Sequence, residues 1–195
     1  MKTYLILLYS LMAIGAYSQD TLPYFKIPDY PKAYTAGTVA ARVVDGLGFR
    51  YYWATEGLRT EDLQYKPNED ARTCEETLQH IHAMSFNLVN ATKRIPSEPS
   101  KINSQLPFEI LRSETLHNLK TASDILKKST DKDLNGFDLL FKGDNYEVKY
   151  PFWNLLNGPI ADAIWHVGQV VTFRRSSGNP FNSNVSVLNG ELKND

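Results

Sequence analysis

The chain has 195 residues, 42% of them hydrophobic and 22% charged, with a formal net charge of −1. That length supports one domain with a sizeable core, and the composition is that of an ordinary globular protein. The near-neutral balance speaks against nucleic acid or an anionic membrane surface as the main partner.

The first residues read MKTYLILLYSLMAIGAYSQD. Lys2, an apolar run from Tyr4 to Ala16 and the small residues Ala16 and Ser18 form the pattern of an export signal cleaved before Gln19. The run is too short for a comfortable membrane span, although an uncleaved anchor helix is the other reading. No cysteine sits near the cleavage point, so no lipid anchor is expected. The expected organisation is a signal peptide (1–18), an extended lead-in with Pro23, Pro28 and Pro31 (19–34), a helical domain (35–180) and an irregular tail (181–195). The mature protein is then expected outside the cytoplasm, in the periplasm, with no membrane anchor.

Val39, Val43, Leu47, Tyr51 and Ala54 recur at helical spacing and predict a first helix over 35–57. Pro67 and Asn68 break the pattern. Thr73 and Glu76 then form a capping box, which predicts a second helix from Cys74 to about Lys93 with Leu78, Ile81, Met84, Leu88 and Ala91 inward. The single cysteine, Cys74, forms no internal disulfide and is read as a packing residue rather than a nucleophile. A long polar crossover leads to a third helix over 108–129, carrying Ile110, Leu111, Leu116, Leu119, Ile125 and Leu126. Two β-prone runs, 137–141 and 146–150, flank Lys142-Gly143-Asp144-Asn145 and predict a hairpin. A fourth helix is expected over 154–177, stopped by Gly178-Asn179-Pro180. The predicted fold is therefore all-α: four helices, each burying one stripe against the others, with a small hairpin between helices three and four. The short first link suits antiparallel neighbours for helices one and two.

The fourth helix reads IADAIWHVGQVVTFRRS. Asp162 and His166 are four apart, so they share a face, and Val170 and Phe173 continue it. A carboxylate on an apolar face needs a partner or a metal. A simple Asp162–His166 hydrogen bond would satisfy it, whereas a metal needs at least a third ligand from another helix. Gln169 flanks this face, as a tie between helices or as a residue that orients a ligand. Gly168 marks a place for a neighbouring helix to come close. The remaining histidines are His80, His82 and His117. His117 lies away from its helix's apolar stripe and is expected to be exposed. His80 and His82 flank the stripe of helix two on opposite sides, and periodicity does not choose between them.

Three stretches carry a resemblance: LRTEDLQYKPNEDARTCEETLQHI, IADAIWHVGQV and FRRSSGNP. Taken in order from about Val39 to Pro180, the chain resembles the DinB/YfiT-like superfamily of metal-binding four-helix proteins. The resemblance implies an up-down-down-up bundle, frequent homodimers and a divalent metal held by one histidine of helix two and two residues of helix four. The matching positions here are His80, Asp162 and His166. The second position is usually histidine in that family; its mycothiol-dependent maleylpyruvate isomerases use an acidic residue at the equivalent place. Zinc or nickel is the expected ion, with manganese and iron also compatible with such ligands. On that arrangement the three donor atoms lie about 3–4 Å apart. The implied function is a metal-dependent hydrolase or thiol-dependent transferase acting on a small molecule. A non-catalytic periplasmic binding or stress module with a structural or vestigial metal is the alternative.

Overall fold

The computed structural model describes residues 22–102 and 105–193. The export-signal segment and the start of the lead-in lie outside them. No helix among the described residues is long and apolar enough to cross a membrane. The fold is mostly helical, with two small antiparallel hairpins.

Helix α1 spans Ala36–Thr55 and is capped by a Thr35/Thr38 box, with Thr35 Oγ1 accepting from Thr38 N at 3.2 Å. Leu47, Tyr51 and Ala54 are buried as its periodicity predicts, but Val39 and Val43 face outward, 51% and 42% exposed. Ala40, Ala41 and Val44 are buried instead. The reason lies at Gly37, where a Cβ would meet the carbonyl oxygens of Leu126 and Ser129 at 2.5 and 2.6 Å. The helices approach so closely that α1 must present its small side.

A short helix, α2, occupies Thr60–Gln64 in the first link. Helix α3 spans Cys74–Lys93, as the capping box predicts: Glu76 N donates to Thr73 Oγ1 at 3.1 Å and Thr73 N to Glu76 Oε2 at 2.7 Å. Its whole predicted stripe is buried. Helix α4 covers Phe108–Lys127, with Ile110 turned outward, and the single turn α5 follows at Asp131–Leu134.

Strands β1 (Leu139–Gly143) and β2 (Tyr146–Tyr150) pair antiparallel around Asp144-Asn145, with Gly143 opposite Tyr146. Ser97, in the crossover, donates its N–H to Leu140 O at 2.7 Å and accepts from Lys142 N at 3.0 Å, which ties the loop to the hairpin.

The last long helix begins earlier than expected, with α6 at Phe152–Leu155. It passes through a π-turn at Leu156–Ile160 and continues as α7 over Ala161–Ser176. Pro159 sits inside the π-turn. Proline lacks an N–H and its ring crowds the preceding turn, so the wider spacing lets the helix carry it.

Helix α1 packs chiefly against α4 and α7, and α3 packs against the same two. Helices α1 and α3 are therefore not side-by-side neighbours, contrary to the expectation from their short link. Residue pairs fix the directions. His82 meets Thr115 and Ser85 meets Asn118, so α3 and α4 run parallel. Phe173 packs on Tyr65, whose carbonyl accepts from the first N–H of α3, so α7 ends where α3 begins.

The carboxyl end of α1 carries unsatisfied carbonyls and has no basic residue in its last turn. Two buried arginines from other helices supply the charge. Arg174 Nη1 donates to the carbonyls of Trp53, Ala54 and Glu56 at 3.0–3.1 Å. Arg112 Nε donates to Thr55 Oγ1 at 2.9 Å and its Nη2 pairs with Glu56.

The two ends of the described chain are more ordered than expected. Tyr24, at φ 76°, inserts its ring over Gly48 and donates its hydroxyl to buried Asp45 Oδ1 at 3.1 Å. The tail is not irregular: β3 (Val185–Ser186) and β4 (Glu191–Leu192) form a hairpin. Val185 joins Ile27, Phe49 and Trp53 in a second small core.

Candidate metal centre

His80 stands on the flank of α3 that turns toward α7. On α7 the buried face is Ala163, Val167, Val170 and Arg174. Asp162, His166, Gln169 and Phe173 occupy the adjoining, half-buried face. Asp162 and His166 thus lie at the edge of the core, not in line with Val170. This placement spares the carboxylate the desolvation cost of a full core position.

The structure brings His80, Asp162 and His166 together, with one candidate ligand atom from each lying within 4.8 Å of the others. His80 Nε2 is 3.6 Å from Asp162 Oδ2, and His166 Nε2 is 3.5 Å from Asp162 Oδ1. The two imidazoles meet edge to face, 4.7 Å between centroids. Donors bonded to one tetrahedral ion at 2.0–2.2 Å would be separated by about 3.4 Å. Each imidazole stands near this distance from the carboxylate, His80 from Oδ2 and His166 from Oδ1, and a set of two imidazoles and one carboxylate suits zinc, nickel, manganese or iron. Side-chain exposures of 35% for His80 and 38% for Asp162 leave one side open to solvent, while His166 is more enclosed at 14%.

Gln169 Oε1 lies 2.7 Å from His166 Nδ1. The amide oxygen is placed to accept from Nδ1–H, and Nε2 is the nitrogen that faces Asp162. Its role is therefore to fix one imidazole on its own helix, not to tie two helices together. Burial lowers the pKa of His80; Arg72 and His166 push the same way, against Asp162. The neutral imidazole favoured by this balance is the form that binds metals.

The other histidines have different partners. His82 is buried between α3 and α4, with Nδ1 3.1 Å from Thr115 Oγ1 and Nε2 3.5 Å from Glu114. His117 is exposed and bonds the Ser113 carbonyl on its own helix. Gly168 is exposed, with nothing near the position a Cβ would take, so no helix approaches there. Cys74 is fully buried, and burial pushes its thiol pKa up to about 12, which suits a packing residue.

The sequence reading missed a polar knot that joins α2 to the end of α7. Buried Asp62 accepts from Arg59 Nε, Ser177 Oγ and Asn179 Nδ2 at 3.0, 2.5 and 2.6 Å. Arg174 Nε donates to Asn179 O at 2.8 Å. The signal was present in FRRSSGNP, but nothing local says which residue of α2 it would meet. An apolar cleft of about 530 Å³ lies elsewhere, among Val39, Val43, Leu134, Phe152, Trp153 and Leu156. It contains none of the three candidate ligands.

No family model, curated protein or solved structure matches the chain.

Proposed function

We propose that this chain is a divalent-metal-dependent enzyme of the DinB/YfiT-like kind, built as an up-down-down-up four-helix bundle. The parallel α3–α4 pair and the antiparallel α3–α7 pair support the bundle reading. His80, Asp162 and His166 hold the ion, zinc or nickel before manganese or iron. The observation that carries this is the convergence of two imidazoles and one carboxylate from two helices, with donor pairs at 3.5 and 3.6 Å.

A divalent ion in such a site supplies Lewis-acid chemistry and lowers the pKa of water or a thiol toward neutrality. The protein's own residues do the rest. Gln169 holds His166 in the tautomer that offers Nε2. Asp162 contributes one negative charge, which makes the ion a weaker Lewis acid than three neutral histidines would. Three protein ligands leave a position open, the hallmark of a catalytic site rather than a closed structural one. The reaction class is hydrolysis or thiol-dependent group transfer on a small molecule. Residues 1–18 read as an export signal, which favours hydrolysis or thiol chemistry outside the cytoplasm.

Calorimetric titration of apoprotein with zinc and with nickel tests the reading. One ion per chain, removed by chelator with a drop in melting temperature, is expected. Wild-type protein that takes up no ion overturns it.

A further inference from the structure

We propose that Trp165 is the substrate platform of this centre and that the substrate carries a planar aromatic group. The inference rests on the metal reading above and adds a substrate class to it.

Trp165 is 72% exposed and is the only large apolar side chain of α7 standing in solvent. Tryptophan is usually among the most extensively buried residues, because its indole gains more from leaving water than almost any other side chain. Here it covers no core. It immediately precedes His166, on the outward flank of the face that carries Asp162, His166 and Gln169. The indole lies within 17° of the plane of the His166 imidazole, at 6.4 Å between centroids.

That orientation matters because the Nε2 lone pair of His166 lies in the imidazole plane. Trp165 therefore presents a flat π-face that runs alongside the direction in which His166 offers its donor. Gln169 anchors the imidazole of this ring pair through Nδ1. A ligand anchored at the three residues and extending outward over α7 lies on that face. Aromatic pairs in offset or tilted contact add about 0.5–1.5 kcal/mol beyond their buried area, or roughly a factor of two to twelve in affinity. A saturated chain of the same length gains no such term.

The experiment uses the zinc-loaded full chain and two probes, acetohydroxamate and benzohydroxamate, followed by calorimetry. Trp165→Ala is expected to weaken benzohydroxamate about fivefold and to leave acetohydroxamate and zinc affinities unchanged. Trp165→Phe should retain part of the preference. If Trp165→Ala shifts both hydroxamates equally, or neither, the platform inference is wrong. It is also wrong if the substitution turns a dimer into a monomer by sedimentation without changing the ratio, since Trp165 is then an interface residue. Wild-type protein that binds zinc but shows no benzohydroxamate preference over the alanine variant sinks this inference alone. Failure to bind zinc at all sinks the metal reading, and this inference with it.

Discussion

His166 Nδ1 and Gln169 Oε1 meet at 2.7 Å on one face of α7. The contact holds the imidazole with its other nitrogen, Nε2, turned toward Asp162, 3.5 Å from Oδ1. Partners that orient metal-binding histidines typically contribute 10–100-fold in affinity. Gln169→Leu should therefore weaken zinc binding by about tenfold or more without unfolding the protein, and Gln169→Glu should preserve it. Equal zinc affinity for the leucine variant and wild type would remove Gln169 from the site.

The register on α3 gives a second prediction. His80 and His82 point to opposite flanks, one to Asp162 and His166, the other to Thr115 and Glu114. His80→Ala and His166→Ala should abolish zinc binding in calorimetry. His82→Ala should leave it intact and instead lower stability by about 1–3 kcal/mol, because a buried side chain and its hydrogen bond to Thr115 are lost. Loss of zinc in His82→Ala with retention in His80→Ala would place the site on the other flank of α3.

Asp62 predicts an acid dependence. The side-chain hydrogen bond from Arg59, with those from Ser177, Asn179 and the Arg59 backbone, holds its carboxyl well below the usual carboxylate range. A carboxyl lowered in the folded state stabilises the fold above its unfolded value, about 3.9. That stability is lost as pH falls from there through the folded value. Asp62→Asn should destabilise the protein at pH 7 by on the order of 2 kcal/mol. Below pH 4 the gap between variant and wild-type melting temperatures should narrow. A gap that stays constant from pH 7 to pH 2 would show that Asp62 contributes no such linkage.

Gly48 sits beneath the Tyr24 ring, where a Cβ would come within 2.5 Å of ring carbons. Gly48→Ala must displace Tyr24 from Asp45, and denaturant unfolding should register a loss of about 1–3 kcal/mol. Helix propensity alone would favour alanine there by up to about 1 kcal/mol. A stabilised variant would mean that the Tyr24 contact contributes little.

Cys74 is fully buried, and its thiol pKa is pushed up to about 12, first by burial and then by Asp62. The native protein should react with a thiol reagent only at the rate at which it opens, and fully once denatured. Rapid stoichiometric labelling of folded protein would contradict this.

What the sequence determined by itself is local. The Thr73/Glu76 box sets the start of α3 through two hydrogen bonds within four residues. The Gly-Asp-Asn turn sets the hairpin, and a spacing of four puts Asp162 and His166 on one face. Signals of this kind are complete within a few residues, so they survive without knowledge of the rest of the chain. The tertiary structure decided what depends on how closely elements approach. Gly37 brings α1 against α4, and this buries Ala40 and Val44 where periodicity favoured Val39 and Val43. Tertiary packing also leaves Asp162 at the edge of the core, joins the tail to Phe49 and Trp53, and sets Asp62 against Ser177 and Asn179 across 115 and 117 residues of sequence. Such contacts are chosen by shape and by the need to pair buried polar groups, and neither is encoded in a local repeat.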